Sequence, residues 1–363
     1  MLWLMVAMAL FVLVPVSLNS IILKQEDIFL RNLGLSSKPN PVSPPPIPPI
    51  LWKIFNQRLG IGRHKKKPNM CFVEELNVPG STIRVFPDNG RQVISDSAKA
   101  APPLCLQKRL FFNVSVMEKV EKVTLSQLEV HFRQHMHHGK VFDLRLYQIL
   151  KVPFKGVERY EPKRHIRKLL KMQTFSLPRR NLYINLTEVC DSWRDTNTNL
   201  GLDLEIFPQK GGSLVPTSLE DCKGNHPFAY TTLLTVTLNS LHCKKIRKKR
   251  SYGKIPSTSG DLCKKSCFYV KFKDVGWQNW VVAPSGYMAN YCHGNCPFSE
   301  RNVQNLSRYP NIQNKIHSKA QNSPLCHCAP IKMSPVPMLF YDNEDNVVLG
   351  QYENLVVDEC GCR

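Results

Sequence analysis

The spacing of apolar and polar residues changes rhythm along the 363-residue chain. MLWLMVAMALFVLVPVSLNS, residues 1–20, is nearly unbroken apolar sequence that ends in small and polar residues. That is the layout of a secretory signal peptide cut near Ser20. A membrane anchor is the rival reading, because Ile21, Ile22 and Leu23 prolong the run. No later stretch approaches the ~20 apolar residues of a spanning helix. From Glu26 to Leu35 apolar residues fall at 28, 30, 33 and 35, and LWKIFNQRL repeats the spacing at Leu51, Ile54, Phe55 and Leu59. Both predict short amphipathic helices. KPNPVSPPPIPPI between them cannot be helical in its middle and predicts an extended arm. After Cys71 the texture shortens to β-branched and aromatic runs between turn residues: STIRVFP, KRLFFNVSV, VFDLRLYQI, LYINL, LDLEIF and YTTLLTVTL. Each predicts a strand. Residues 21–250 thus read as an α+β pro-region, with helical arms at about 26–60 and a β-rich domain at about 70–243.

Charge marks where that unit ends. Of the net +21, residues 1–250 contribute 38 basic against 19 acidic side chains, and residues 251–363 only 11 against 9. The step coincides with Arg247, Lys248, Lys249 and Arg250, followed by Ser251 and the loop-like SYGKIPSTSG. The tetrad fits a proprotein convertase, whose acidic subsites need clustered positive charge on an accessible segment; the cut falls before Ser251. Arg63, His64, Lys65, Lys66 and Lys67, and the run Arg164, His165, Ile166 and Arg167, match less well and read as solvated surface charge. For a secreted chain, acidic glycans or a processing enzyme are the expected partners of this charge, and nucleic acid is not.

Thirteen cysteines in an oxidising compartment predict disulfides, and an odd number leaves one sulfur free or paired with another chain. Five lie upstream, at 71, 105, 190, 222 and 243. Eight lie after Ser251, at 263, 267, 292, 296, 326, 328, 360 and 362. Any six of these eight already allow fifteen pairings, so spacing leaves connectivity open. In YCHGNC, residues 291–296, His293 between two cysteines suggests zinc, but zinc needs thiolates that an oxidising lumen disfavours. HFRQHMHHG places His131, His135, His137 and His138 together and reads as a solvated loop in preference to a metal or pH-sensing site. Asn113, Asn185 and Asn305 open N-glycosylation sequons. The C-terminal region shows no nucleophile–base pair, phosphate-cradling loop or paired carboxylates. The reading is a non-enzyme without cofactor or metal.

CKKSCFYVKFKDVGWQNWVVAPSGYMANYCHGNCPFS and CAPIKMSPVPMLFYDNEDNVVLGQYENLVVDECGCR resemble a mature ligand of the transforming growth factor β superfamily. FLRNLGLSSKPNPVSPPP, CFVEELNVPGS and NLTEVC extend the likeness, to embryonic Vg-type and growth/differentiation-factor-one-like precursors, over nearly the whole chain.

The resemblance implies that residues 251–363 form a small, dimeric, β-rich cystine-knot growth factor with two β-fingers and one helix. It implies the pairs Cys263–Cys328, Cys292–Cys360 and Cys296–Cys362, the last two closing an eight-residue ring threaded by the first. Gly294 and Gly361 would then make room for the passing bridge, and His293 would be a spacer. The chain departs from the family at Leu325-Cys326-His327-Cys328, where the interchain cysteine is displaced by one residue, and at the extra Cys267. Cys326 is expected to bridge two chains or to bond Cys267; with neither bond, the dimer would hold by packing alone. In 302–320 the apolar spacing predicts a helix from about Tyr309, with Lys315 narrowing its stripe. Pro337 replaces a residue that often carries a hydroxyl.

By resemblance, Trp277 and Trp280, with the helix of the other protomer, belong to a type I receptor surface, the rival reading for each being packing between the fingers; Ala283, Leu339, Tyr341 and Leu349 belong to a type II surface. The implied partners are a second copy or a nodal-type ligand, type I and type II receptor serine/threonine kinases, a membrane-anchored co-receptor and the pro-region itself. The alternative is a secreted antagonist or matrix protein that uses a cystine knot to sequester ligands.

Overall fold

The computed structural model describes residues 26–42, 44–60, 69, 71–90, 106–132, 141–151, 166–176, 181–195, 197–208, 229–240, 243, 263–296 and 327–362. The signal segment, the cleavage tetrad with Ser251, the helix expected from about Tyr309, Cys105, Cys222, Cys326, Asn305, the basic run at 63–67, Arg164 and His165, and His135, His137 and His138 lie outside them. None of the described helices is long and apolar enough to cross a membrane.

Two helices form the arms. α1 spans 26–32 and closes with the Leu35 N–H on the Leu30 carbonyl and the Gly34 N–H on that of Arg31. This is a Schellman ending. Gly34 takes its left-handed position (φ 78°), and Leu35 returns to the apolar face of Leu30. Ile28, expected on that face, is exposed. α2 (Pro49–Arg58) starts on a proline at its first position and buries Leu51, Ile54, Phe55 and Arg58. The fourth inward position is therefore Arg58, not Leu59, which is exposed. Burial lowers the Arg58 pKa to about 10, and its Nη1 donates to the Ser81 carbonyl at 3.1 Å.

The strands of the pro-region are β1 (Phe72–Val73), β2 (Val78–Pro79), β3 (Thr82–Pro87), β4 (Leu106–Leu110), β5 (Glu121–Phe132), β6 (Val141–Lys151), β7 (Ile166–Ser176), β8 (Asn181–Asn185), β9 (Leu202–Pro208) and β10 (Ala229–Asn239), with α3 (Thr187–Ser192) after β8. Those of the C-terminal region are β11 (Lys264–Ser266), β12 (Tyr269–Lys271), β13 (Val281–Ala283), β14 (Gly286–Met288), β15 (Tyr291–His293), β16 (Cys328–Tyr341) and β17 (Val347–Cys362). A four-stranded sheet, β4-β9-β6-β7, faces a seven-stranded sheet, β13-β16-β17-β3-β10-β5-β8. Between them lies a core whose described members all come from the pro-region, including Phe112, Leu128, Phe142, Phe175, Trp193 and Leu204.

Several expectations change. KRLFFNVSV is strand only as far as Leu110; residues 111–116 form an irregular turn that tucks Phe112 and Val114 into the core. β5 and β7 were not visible in the pattern. His131 belongs to β5 and not to a solvated loop: its ring stacks on Tyr230 at 4.3 Å and meets Asn181, Thr232 and Glu129. Arg167 is not simply solvated surface charge. It ion-pairs with buried Glu205 and lies over the Tyr147 ring at 4.1 Å.

The seven-stranded sheet crosses the boundary between the two regions. Pro-region β3 pairs with C-terminal β17 on one side, Ile83 opposite Leu349 and Val85 opposite Val347. On its other side it pairs with β10, Ile83 opposite Val236 and Val85 opposite Leu234. Ile83 and Val85 point to one face and Arg84 to the other, where its guanidinium holds Glu121. Burial opposes that charge, but the hydrogen bond and charge of Glu121 outweigh it and raise the Arg84 pKa.

Candidate functional site: a growth-factor domain under its pro-region

At the base of the fingers, disulfides join Cys263 to Cys328, Cys292 to Cys360 and Cys296 to Cys362. The sulfurs of Cys263, Cys296 and Cys362 lie within 4.8 Å of one another. All three are spent in disulfides and offer no thiolate to a metal. His293 Nε2 is hydrogen-bonded to Ser266. Gly294 sits at φ 112°, a backbone that favours glycine. Gly361 differs from expectation: an added Cβ would meet Ile331 Cγ2 at 2.9 Å, so a neighbouring side chain crowds it, not a passing bridge. Cys267 is an exposed free thiol, while Cys190 is free and buried in the pro-region core. Cys71 bonds Cys243, tying the two ends of the β-rich domain.

The six residues assigned to receptor surfaces fall into two groups, both covered by the pro-region. Trp277 is 8% exposed and Trp280 is fully buried. Their rings lie 5.4 Å apart, and Trp280 meets Phe340 edge-on. α1 lies on this group: Phe29 packs on Trp277 at 4.9 Å, Glu26 accepts the Trp277 Nε1 proton at 2.8 Å, and Leu30, Leu33 and Leu35 complete the cluster. Ala283, Leu339 and Leu349 form one row across β13, β16 and β17, continued by Ile83 and Val236. α2 covers that row with Leu51, Ile54 and Phe55. Tyr341, half-buried in the next row, donates to the Pro45 carbonyl at 3.4 Å. Pro337 is buried in β16.

A polar clamp at the tip of the second finger was missed from sequence. Asn343 Oδ1 accepts from the Ser36 N–H and Oγ at 3.2 and 3.1 Å, and its Nδ2 donates to the Ser37 carbonyl and Oγ at 3.1 and 3.2 Å. Magnitudes rank it second: such hydrogen bonds net about 1 kcal/mol each, whereas each buried leucine or phenylalanine contributes about 1.5–3 kcal/mol. The apolar faces hold the arms, and Asn343 sets their register. Nothing in the local pattern of SSKPN or DNEDN announces a pairing more than 300 residues apart in sequence.

Of the sequons, Asn185 is exposed at the end of β8 and Asn113 is half-buried after β4. In both, the asparagine Oδ1 accepts from the backbone N–H and hydroxyl of the sequon's third residue, Thr187 or Ser115.

A knotted two-finger domain bound under an arm-bearing β-sandwich is the architecture of a growth-factor precursor. Residues 262–362 match the transforming growth factor beta like domain and residues 22–223 the TGF-beta propeptide. The chain belongs to the transforming growth factor beta family and is a signalling ligand, not an enzyme. It is 54% identical to Protein DVR-1 of Xenopus laevis over the full length of both chains. Growth/differentiation factor 3 of Mus musculus is 34% identical over 93% of each chain. Embryonic growth/differentiation factor 1 of Homo sapiens is 29% identical over 92% of this chain and 90% of its own. Ligands of this family dimerise, bind receptors and bind their own pro-regions, and the Vg-type relatives are developmental growth factors.

Proposed function

We propose that the chain is a secreted embryonic morphogen precursor, cut after Arg250 by a proprotein convertase. The released 251–363 fragment dimerises with itself or with a nodal-type ligand. It gathers two type I and two type II serine/threonine kinase receptors, with a membrane-anchored co-receptor, and signals in the activin/nodal manner through SMAD proteins. Multivalent capture brings kinase domains together without chemistry by the ligand. Trp277 and Trp280 serve type I binding; Ala283, Leu339, Tyr341 and Leu349 serve type II binding.

The observation that carries this reading is the coverage of both groups by the arms. Large apolar faces in a small domain are partner surfaces. Here α1 occupies one and α2 the other, so the precursor is silent until the covalent link is cut and the arms leave. The test is an uncut precursor, Arg247→Ala with Arg250→Ala, applied to cells with a SMAD reporter. The wild-type chain is expected to be processed and active, and the double variant to be secreted uncut and inactive. Full activity of the uncut chain would overturn the reading.

A further inference from the structure

We propose that the groove beside the proline-rich arm is a seat for sugar: the inner N-acetylglucosamine residues of an N-linked glycan on Asn185 dock there and pin the arm to the sheet. The groove, about 540 Å³, lies between residues 46–50 of the arm and the outer face of β5, β8 and β10. Its floor carries Tyr183, Tyr230 and His131 with Gln127, Glu129 and Asn181. Flat rings beside planar amides and a carboxylate are the surface a pyranose needs. Its C–H face lies on an aromatic ring, and its hydroxyl and acetamido groups find donors and acceptors in Gln127 and Glu129, since His131, Asn181 and the Tyr183 hydroxyl are already bonded to one another.

Strand register places the attachment point at the rim. Asn185 is the Cα partner of Gln127, Tyr183 of Glu129 and Asn181 of His131; His131 is in turn the partner of Tyr230. Paired residues share a sheet face, so Asn185 projects on the same side as the floor, about 7 Å along β8 from Tyr183. Its Oδ1 is engaged by Thr187, while its amide nitrogen, the atom that carries a glycan, makes no hydrogen bond among the described residues. Tyr183 is 53% exposed and Tyr230, with one face stacked on His131, is 47% exposed, so both offer ring surface to a ligand. A ligand tethered this close sees the groove at an effective concentration in the millimolar range, so weak sugar–aromatic contacts suffice.

The same rows explain what docking does. Asn185 and Gln127 continue through Leu234 and Val85 to Val347 and Tyr341. The groove and the covered face of the growth factor therefore share one sheet face. The arm that walls the groove runs straight into α2, which covers Ala283, Leu339 and Leu349. Sugar in the groove restrains residues 46–50 and with them the start of α2. The proposal concerns arm and sheet only and stands whatever partner the covered face binds.

The test uses the full-length precursor from a glycosylating cell line. Glycopeptide mass spectrometry reads occupancy at Asn185, and timed digestion of the native protein with peptide:N-glycosidase F reads glycan access. The expected result is an occupied Asn185 whose glycan is released about 3- to 10-fold faster in Tyr183→Ala than in wild type. Tyr183 is exposed, so that variant keeps its fold. Asn185→Gln is expected to raise hydrogen–deuterium exchange across residues 47–55. An unoccupied Asn185, equal release rates, or unchanged exchange in Asn185→Gln would each overturn the proposal.

Discussion

The two regions of the chain solve the burial problem in different ways. The β-rich pro-region stacks two sheets and encloses a core from its own residues, with Phe142, Leu144, Trp193 and Leu204 at 1% exposure or less. Among the described residues, the C-terminal fingers have no second layer of their own. Their largest buried side chains, Trp277, Trp280, Phe272 and Phe340, lie in a cluster completed by Leu30, Leu33 and Leu35 of the first arm, and Leu339 and Leu349 lie in one completed by α2 and β3. A domain of roughly 100 residues in thin hairpins cannot bury both faces alone. The knot compensates covalently, each bridge contributing about 2–5 kcal/mol by restricting the unfolded chain. The apolar faces are left to be covered by another part of the chain, and here the pro-region covers them.

This contrast is sharpest in mutation. Phe142→Ala opens a hole in the enclosed core, where Phe142 stacks on Phe175 at 5.7 Å. The expected loss is about 3–5 kcal/mol of pro-region stability, read as a fall in the urea midpoint of the secreted precursor or as retention in the cell. A knot-bearing fragment from any molecules that escape should be normal. Leu51→Ala belongs to the shared cluster and should act elsewhere. Truncating it costs about 2–4 kcal/mol of packing, mostly in the contact between regions. The affinity of cleaved pro-region for the growth factor should fall by about 30-fold or more, with little change in the unfolding of the sandwich. If Leu51→Ala unfolds the sandwich as Phe142→Ala does, the division between an enclosed and a shared core is wrong.

How much of this was legible follows the same division. The arm helices were readable because Leu30 with Leu33, and Leu51 with Ile54 and Phe55, repeat at helical spacing. Leu59 was miscounted as an inward residue because a buried arginine, Arg58, took the next place on that face. Strands with one apolar and one polar face were found. β5 was missed because Glu121, Lys122, Gln127 and Glu129 interrupt its pattern; buried Glu121 is held by Arg84, and Glu129 by His131. β7 was missed because, as an edge strand, it leaves Ile166, Leu169 and Met172 exposed and shows no alternation. The knot cysteines could be paired only through family resemblance, since spacing is silent on connectivity. The sheet shared by Val85 and Val347 was beyond reach: a strand's pattern says that one face is buried, not by whom.

The smallest effect probes the clamp end of the shared interface. Glu344 lies beside Asn343, at a small cavity also lined by Leu33, Leu35 and Ser36 of the arm. Partial burial, and then the charge of Asp342, raise its pKa above the ordinary 4.5 or so. Asp342 acts with or without the arm, so docking adds only the burial against Leu33, Leu35 and Ser36, and the docked form binds a proton on Glu344 more readily than the undocked form. By linkage, this contribution is fully present below the ordinary value and is lost as pH rises through the raised one. Docking of the arm should tighten on acidification through that window, and Glu344→Gln should remove only this increment. The side chain stays mostly exposed, so solvent screening keeps the effect below about 1 kcal/mol. Measuring pro-region affinity from pH 7 down to pH 4 for both proteins cancels the other titrating groups. A variant that tracks wild type throughout would mean that Glu344 does not feel the arm, and the polar clamp would reduce to Asn343 alone.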